Sequence, residues 1–148
     1  MMKLKVGDMA PSFALFSTGG NLFRFNSGAT GGKLVLYFYP KDFTPGCTVE
    51  ACSFRDELSA LARLGMEVVG ISVDSVISHE RFKKELQLPF ELLSDTNGDV
   101  SRMYGVYNRL LKFSNRVTFV IDGDGKILSI TKNMFAPKKH VEAAKSVG

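Results

Sequence analysis

The sequence predicts an α/β fold in which helices flank a central mixed β-sheet. Two continuously apolar, β-favouring runs, residues 33–39 and 66–73, are typical of strands buried on both faces. A segment with helical periodicity joins them, and this order predicts a parallel strand–helix–strand unit. Near the end of the chain, Asp122-Gly123-Asp124-Gly125 separates two further apolar runs and predicts an antiparallel hairpin. Parallel and antiparallel pairs in one chain indicate a mixed sheet.

The first half of the chain contains a predicted N-terminal β extension and the first crossover helix. Short strands are expected at Phe13 to Leu15 and at Asn21 to Phe25, with a Ser-Thr-Gly-Gly turn between them. From Cys47 onward, apolar residues recur at helical spacing, and Gly65 ends this helix. The remaining predicted elements are a helix at 75–88, a short strand at 90–93, a short helix at 99–104, strands at 116–121 and 126–131, and at most a short helix at 138–146.

Composition and charge narrow the class of protein. The 148 residues fit a single domain, residues 1–148, and the 45% hydrophobic and 23% charged residues are ordinary for a soluble protein. No apolar run approaches the ~18 residues of a membrane span, and there is no secretory h-region, so we expect a cytoplasmic protein without membrane contact. The net charge of +4 comes from 19 basic residues mixed among 15 acidic ones, which argues against nucleic-acid binding.

The most informative feature is the position of Cys47, where a strand gives way to a helix. A helix start offers free N–H groups and the positive end of the helix dipole, and both stabilise a thiolate. Cys52 supplies a second thiol five residues later in the same predicted helix. Two cysteines are too few for a secreted disulfide scaffold, so reactive thiols are favoured. The pair looks like an attacking and a resolving cysteine.

Other interpretations of the cysteines agree less well with the sequence. Free cysteines are often small buried hydrophobes, but a helix start flanked by proline and glycine is a poor place for inert core residues. A zinc site would draw on the two cysteines and the two histidines, which lack the paired short spacings of such sites. His79 and His140 are expected at the surface, and we assign them no role. We therefore predict neither a metal nor an organic cofactor.

The segment around Cys47 resembles the active site of a known family. Pro40-x-x-x-Thr44-x-x-Cys47 is similar to the motif of peroxiredoxins, and Cys-Thr-Val-Glu-Ala-Cys resembles their Q-type branch, the bacterioferritin comigratory proteins. The likeness continues in order along nearly the whole chain, through segments 37–42, 54–56, 70–75, 92–95 and 116–122. This resemblance implies a thioredoxin-like fold and a thiol-dependent peroxidase. It also implies a hydroperoxide as substrate and thioredoxin or a similar dithiol as reductant.

The resemblance implies a role for each residue of the motif. Cys47 would be the peroxidatic thiolate, which attacks the O–O bond of a hydroperoxide and becomes a sulfenic acid. Arg116 would stabilise the thiolate and the negative charge that spreads over the two peroxide oxygens. Thr44 would hydrogen-bond thiolate or peroxide, Pro40 would shield the pocket from water, and Glu50 would orient the arginine.

Cys52 would be the resolving thiol, and its spacing from Cys47 has a mechanical consequence. Residues five apart in an ideal helix lie ~7.5 Å apart along the axis and ~140° around it. Their Cα atoms are then beyond the ~7 Å limit for a disulfide. We expect the first turns of the helix to unwind when the bond forms. Because both thiols lie in one chain, catalysis would not require a dimer, and we expect a monomer.

Two rival functions stay open on the sequence alone. A thiol–disulfide oxidoreductase acting on protein disulfides usually carries two cysteines separated by two residues, a spacing that is absent here. A binding or chaperone-like module could keep the fold without turnover, although Thr44, Cys47 and Arg116 together argue against that. Consumption of both thiols by peroxide would distinguish the peroxidase from a binding module.

Overall fold

The computed structural model describes residues 3–27 and 31–147, which form a layered arrangement of strands and helices. In chain order the strands are β1 (Phe13–Ser17), β2 (Leu22–Phe25), β3 (Lys33–Phe38), β4 (Met66–Ser72), β5 (Glu91–Ser94), β6 (Tyr107–Asn108), β7 (Phe113–Ser114), β8 (Val117–Ile121) and β9 (Ile127–Lys132). The helices are α1 (Pro45–Asp56), α2 (Leu58–Arg63), α3 (Val76–Leu86), α4 (Asp99–Met103) and α5 (Pro137–Ser146).

Strands from both halves of the chain form one mixed seven-stranded sheet in the order β2-β1-β5-β4-β3-β8-β9. β3 pairs with β4, and β4 with β5, in parallel, whereas β8 runs antiparallel to both β3 and β9. The predicted parallel unit and the C-terminal hairpin are therefore confirmed. β1 pairs with β5 through Phe16 and Ser94, so the N-terminal hairpin extends the same sheet.

The two faces of the sheet carry separate cores, because successive side chains of a strand point to opposite faces. On one face, Val35 and Tyr37 of β3 pack with Phe54 of α1 and with apolar residues of α2, α3 and α5. On the other face, Leu36 and Phe38 pack with residues of α4 and of the N-terminal hairpin. Helix α1, which contains both cysteines, thus lies against the first of these faces.

The structure differs from the sequence-based expectation in two places. The long helix expected from Cys47 to Gly65 is two helices, because Glu57 leaves helical geometry with φ −99° and ψ 7°. β6 and β7 form a separate two-stranded sheet that was not predicted, since strands of two residues are too short to show an alternating pattern. Within the described ranges, none of the helices has the length and apolar character needed to span a bilayer.

Candidate functional site

Cys47 lies in the first turn of α1, at the carboxyl end of β3. Thr44 is the N-cap residue and has an extended backbone. Pro45 follows in the first turn, where a backbone N–H would have no acceptor within the helix, so the missing N–H of proline costs nothing there. The Cys47 side chain is a free thiol and only 1% exposed. The unpaired N–H groups and the dipole of the first turn favour negative charge on its sulfur. The helix start expected at this position is therefore present.

Arg116 brings a guanidinium group to Cys47. It directly precedes β8, which pairs antiparallel with β3, so Arg116 lies beside the loop that follows β3. Its Nη2 donates to Cys47 Sγ at 3.3 Å, and its Nη1 donates to Glu50 Oε1 at 2.6 Å. Its Nε donates to the backbone carbonyl of Met134 at 3.2 Å. Three hydrogen bonds in different directions fix the plane of the guanidinium against the sulfur.

Glu50 is fully buried beside Arg116, and burial dominates its electrostatics. Burial raises the pKa of Glu50 to about 8, although the charge of Arg116 and the hydrogen bond from it act in the opposite direction. Glu50 Oε2 is buried without a hydrogen-bond partner. Burial alone would lower the pKa of Arg116, but Glu50 and Cys47 raise it overall. Arg116 therefore stays cationic next to the sulfur of Cys47.

His140 is buried behind Glu50, which shows that the expected surface position was wrong. Its Nδ1 lies 2.8 Å from Thr118 Oγ1 and 3.7 Å from Glu50 Oε2, and its Nε2 lies 2.8 Å from the carbonyl oxygen of Asn133. Because a carbonyl only accepts, Nε2 donates to Asn133, which leaves Nδ1 to accept from Thr118. Burial lowers the pKa of His140, and the positive charge of Arg116 lowers it further. The hydrogen bond to the Asn133 carbonyl raises the pKa but does not outweigh burial. A neutral imidazole therefore backs the Glu50 carboxyl group.

The other residues predicted from the sequence are placed around Cys47 less directly. Pro40 is buried at the start of the loop between β3 and α1. The hydroxyl of Thr44 donates to the carbonyl of Lys41 at 2.8 Å, so its oxygen keeps lone pairs that can accept a hydrogen bond. Cys52 is a half-buried free thiol in α1, more than one helical turn beyond Cys47. The roles assigned to these residues stay predictions.

Comparison with known proteins decides the family. The AhpC/TSA family matches residues 6–130 of the chain. A protein of Coxiella burnetii that carries the name peroxiredoxin bcp is 44% identical over 135 residues, which cover 87% of this chain and 89% of that protein. The chain is a peroxiredoxin of the AhpC/TSA family.

Solved structures agree with this assignment. Peroxidoxin BcpB from Mycobacterium tuberculosis superimposes on the peroxiredoxin with a TM-score of 0.90 and 37% identity, over 97% of this chain and 96% of that one. The bacterioferritin comigratory protein of Xanthomonas campestris gives a TM-score of 0.80 and 30% identity, over 90% of each chain. The thioredoxin-like fold implied by the motif is thus confirmed. The chain spans 64% of the length of the chloroplast peroxiredoxin Q of rice, with 42% identity.

Gly46 of this peroxiredoxin leaves room for the guanidinium of Arg116. A Cβ atom at Gly46 would lie 2.9 Å from Arg116 Nη2, and the guanidinium cannot move aside easily because Glu50 and Met134 hold it. We expect Gly46→Ala to slow oxidation of Cys47 by peroxide about tenfold, because the guanidinium is displaced from the sulfur. Displacing the buried guanidinium from Glu50 and Met134 costs more than the helix preference of alanine gives back, so thermal stability should fall as well. Stopped-flow oxidation and a thermal melt measure the two effects; an unchanged oxidation rate would contradict the expectation.

The raised pKa of Glu50 predicts a pH-dependent stability. Between about pH 4.5 and about pH 8, the folded protein keeps a Glu50 proton that the unfolded chain releases. The stability due to this proton is complete at acidic pH and decreases as the pH rises through that window, by at most ~1.4 kcal/mol per pH unit. Glutamine copies the protonated acid, so Glu50→Gln should match the parent at acidic pH and become the more stable protein toward pH 8. Urea unfolding of both proteins across this window tests it, and parallel pH profiles would disprove it.

A second buried polar cluster lies beside the loop between β3 and α1, and it was not predicted. Asp42, Asp74 and His79 place ligand atoms within 4.8 Å of one another. However, Asp42 Oδ2 lies 2.7 Å from His79 Nδ1 and accepts from Ser78 Oγ at 2.8 Å, so a metal ion would have to displace both contacts. His79 is fully buried, contrary to the expected surface position. Helical spacing could have revealed this, because His79 lies three residues before the core residue Phe82 on α3.

Proposed function

We propose that this peroxiredoxin is a thiol-dependent peroxidase that reduces hydrogen peroxide and small organic hydroperoxides. The observation that carries the proposal is the 3.3 Å contact between Arg116 Nη2 and Cys47 Sγ at the start of a helix. Burial disfavours a thiolate, whereas a permanent cation and a helix N-terminus favour it. The solved Xanthomonas campestris relative is described by its alkyl peroxide reduction activity, which supports organic hydroperoxides as substrates.

The first half of the reaction transfers one oxygen atom to sulfur. The Cys47 thiolate attacks the nearer peroxide oxygen, so that an S–O bond forms and the O–O bond breaks. The electron pair leaves on the farther oxygen, which takes a proton and departs as water or an alcohol, and Cys47 becomes a sulfenic acid. Arg116 stabilises the charge that develops on the peroxide oxygens. The Thr44 hydroxyl already donates its hydrogen to the Lys41 carbonyl, so its oxygen is free to accept a hydrogen bond from the O–H of the peroxide.

The second half of the reaction forms a disulfide and changes the helix. The Cys52 thiolate attacks the sulfur of the Cys47 sulfenic acid, and the hydroxyl group leaves as water after taking a proton. Glu50 lies between the two cysteines on α1, with its side chain on Arg116. Bringing the sulfurs to bonding distance unwinds this turn, because the ideal helix keeps the Cα atoms too far apart. Reaction with peroxide thus needs an intact helix start, whereas the disulfide needs an unwound one.

Amide hydrogen exchange should report this unwinding. We expect the amides from Thr48 to Phe54 to exchange faster in the oxidised protein than in the reduced one, because the disulfide removes their helical hydrogen bonds. The amides of α3, which contains neither cysteine, serve as the internal control and should be unaffected. Amide hydrogen exchange measured by mass spectrometry on the oxidised and the reduced protein gives this comparison. Equal protection of the Thr48 to Phe54 amides in the two forms would rule out the unwinding.

The remaining parts of the proposal concern the reductant, the compartment and the assembly. We propose that thioredoxin or a similar dithiol reopens the disulfide by thiolate exchange. The sequence has only two cysteines, too few for a secreted disulfide scaffold, which supports a reducing, cytoplasmic setting. The attacking and the resolving thiol are in one chain, which supports a monomer as the working form.

A thiol titration tests the function and separates it from its rivals. One equivalent of hydrogen peroxide added to the reduced protein should consume both thiols and give an intramolecular disulfide, which mass spectrometry identifies. A binding module would keep both thiols. A thiol–disulfide oxidoreductase would instead reduce a protein disulfide faster than it reacts with peroxide. Either of these two results would overturn the proposal.

A further inference from the structure

The loop between β3 and α1 is held by the buried carboxylate of Asp42, which has a side chain only 1% exposed. Its Oδ1 accepts from the Tyr39 hydroxyl at 2.6 Å. Its Oδ2 accepts from Ser78 Oγ at 2.8 Å and lies 2.7 Å from Nδ1 of His79. Asp42 therefore ties the loop to helix α3.

His79 completes a closed set of hydrogen bonds. Its ring is fully buried, and its Nε2 lies 2.9 Å from the carbonyl oxygen of Leu93 in β5. Each ring nitrogen thus faces an oxygen atom. The contact with Leu93 is a hydrogen bond when Nε2 carries a proton, and the contact with Asp42 is a hydrogen bond when a second proton lies between Nδ1 and Oδ2. Removing either partner of such a buried pair strands the other, which is strongly destabilising locally.

The backbone of the same loop has a second attachment. The amide of Asp42 donates to Asp74 Oδ2 at 2.8 Å, and Ser72 Oγ donates to the same oxygen at 2.5 Å. The next residue, Phe43, has a left-handed φ of +66°, which a side chain adopts only when its surroundings enforce it. The loop conformation is therefore imposed by contacts to α3 and to Asp74, in the segment that follows β4.

We propose that Asp42 and His79 are positioning residues for the peroxide reaction, because their buried pair holds Pro40 and Thr44 in place beside Cys47. Pro40 lies two residues before Asp42 and Thr44 two residues after it. The inference rests on the proposed peroxidase function, since it concerns the residues that receive the peroxide. A displacement of about 1 Å in such residues lowers a rate about 100-fold.

The test compares two reactions of the same thiol. In a Cys52→Ser background, Cys47 is the sole thiol, and its rate of oxidation by hydrogen peroxide is measured beside its rate of alkylation by iodoacetamide. Oxidation needs Pro40 and Thr44 in place, whereas alkylation needs only an accessible thiolate. We expect Asp42→Ala to lower the oxidation rate about 100-fold and to leave alkylation equal or faster. His79→Gln, which cannot reach both oxygen atoms, should act in the same direction and replaces Asp42→Ala if that variant does not fold.

Two further variants separate positioning from stability. Asp42→Asn keeps an oxygen for Tyr39 and offers an N–H to a neutral His79, so its oxidation rate should stay within about threefold of the parent. Asp95 is a second buried aspartate, 1% exposed, that accepts hydrogen bonds from Val100 and Ser101 in α4. Asp95→Ala should lower thermal stability but leave the ratio of oxidation to alkylation unchanged.

Several outcomes would overturn the inference while the peroxidase function stands. The first is an unchanged ratio of oxidation to alkylation in both Asp42→Ala and His79→Gln. The second is a change of this ratio in Asp95→Ala equal to that in Asp42→Ala. The third is a loss of oxidation rate in Asp42→Asn as large as in Asp42→Ala. If the Cys52→Ser parent itself does not react with peroxide, the proposed function fails instead, and the inference fails with it.

Discussion

Replacing Cys47 by serine is expected to abolish peroxide consumption while the protein stays folded. A serine hydroxyl is not ionised near neutral pH, so neither Arg116 nor the helix start can convert it into a strong nucleophile. Cys52 cannot take over, because it is more than one helical turn from the site where Arg116 meets sulfur. The serine side chain is close in size to that of cysteine, so the fold should tolerate it. Peroxide consumption in the presence of a dithiol reductant measures the effect.

The matched control for that variant is Cys52→Ser, which removes the other thiol. Given one equivalent of peroxide and no reductant, it should stop as a Cys47 sulfenic acid, because no second thiol in the chain can form the disulfide. A carbon nucleophile specific for sulfenic acids should label this protein and should not label Cys47→Ser. Full activity of Cys47→Ser would contradict the mechanism.

Replacing Arg116 by lysine is expected to slow oxidation of Cys47 by about 100- to 1,000-fold, although the positive charge is kept. The guanidinium donates in three directions at once, to Cys47, Glu50 and the carbonyl of Met134. An ammonium group is a compact point charge on a flexible stem and lacks this planar fork. The positive charge would therefore remain in the site, but it would no longer be held at a fixed position beside the sulfur. Stopped-flow oxidation of the reduced protein gives the rate.

Arg63→Lys is the control for the arginine variant, since Arg63 is exposed on α2. It should leave the oxidation rate unchanged. Thermal melts of both variants show whether a loss of rate reflects unfolding. An Arg116→Lys protein that is oxidised as fast as the parent would show that net charge alone is enough.

The parts of the fold predicted from the sequence are those with a long, regular pattern. The buried strands β3 and β4 are continuous apolar runs, and the Asp-Gly-Asp-Gly turn marks the hairpin of β8 and β9, so their existence could be deduced and is confirmed. The β6 and β7 pair has no such pattern in strands of two residues. The break between α1 and α2 at Glu57 was also missed, because apolar spacing continues across it.

The candidate site was predictable where residue type and spacing imply chemistry. Cys47 at a helix start could be identified from local sequence alone, and Arg116 from the resemblance to peroxiredoxins. Burial of polar groups could not be deduced in the same way. His79, His140 and Asp42 look like ordinary surface residues by type, and only tertiary packing shows that each is buried with hydrogen-bond partners.

The position of Glu50 between the two cysteines implies a kinetic competition after the first chemical step. While Glu50 holds Arg116 at 2.6 Å and the helix start stays intact, the sulfenic acid remains where a second peroxide molecule can reach it and oxidise it irreversibly to a sulfinic acid. Once this turn unwinds, Cys52 can capture the sulfur instead. The fraction of enzyme lost per turnover should therefore grow with peroxide concentration and with the lifetime of the hydrogen bond between Glu50 and Arg116. Tolerance to an excess of its own substrate is thus set by how easily one helical turn opens.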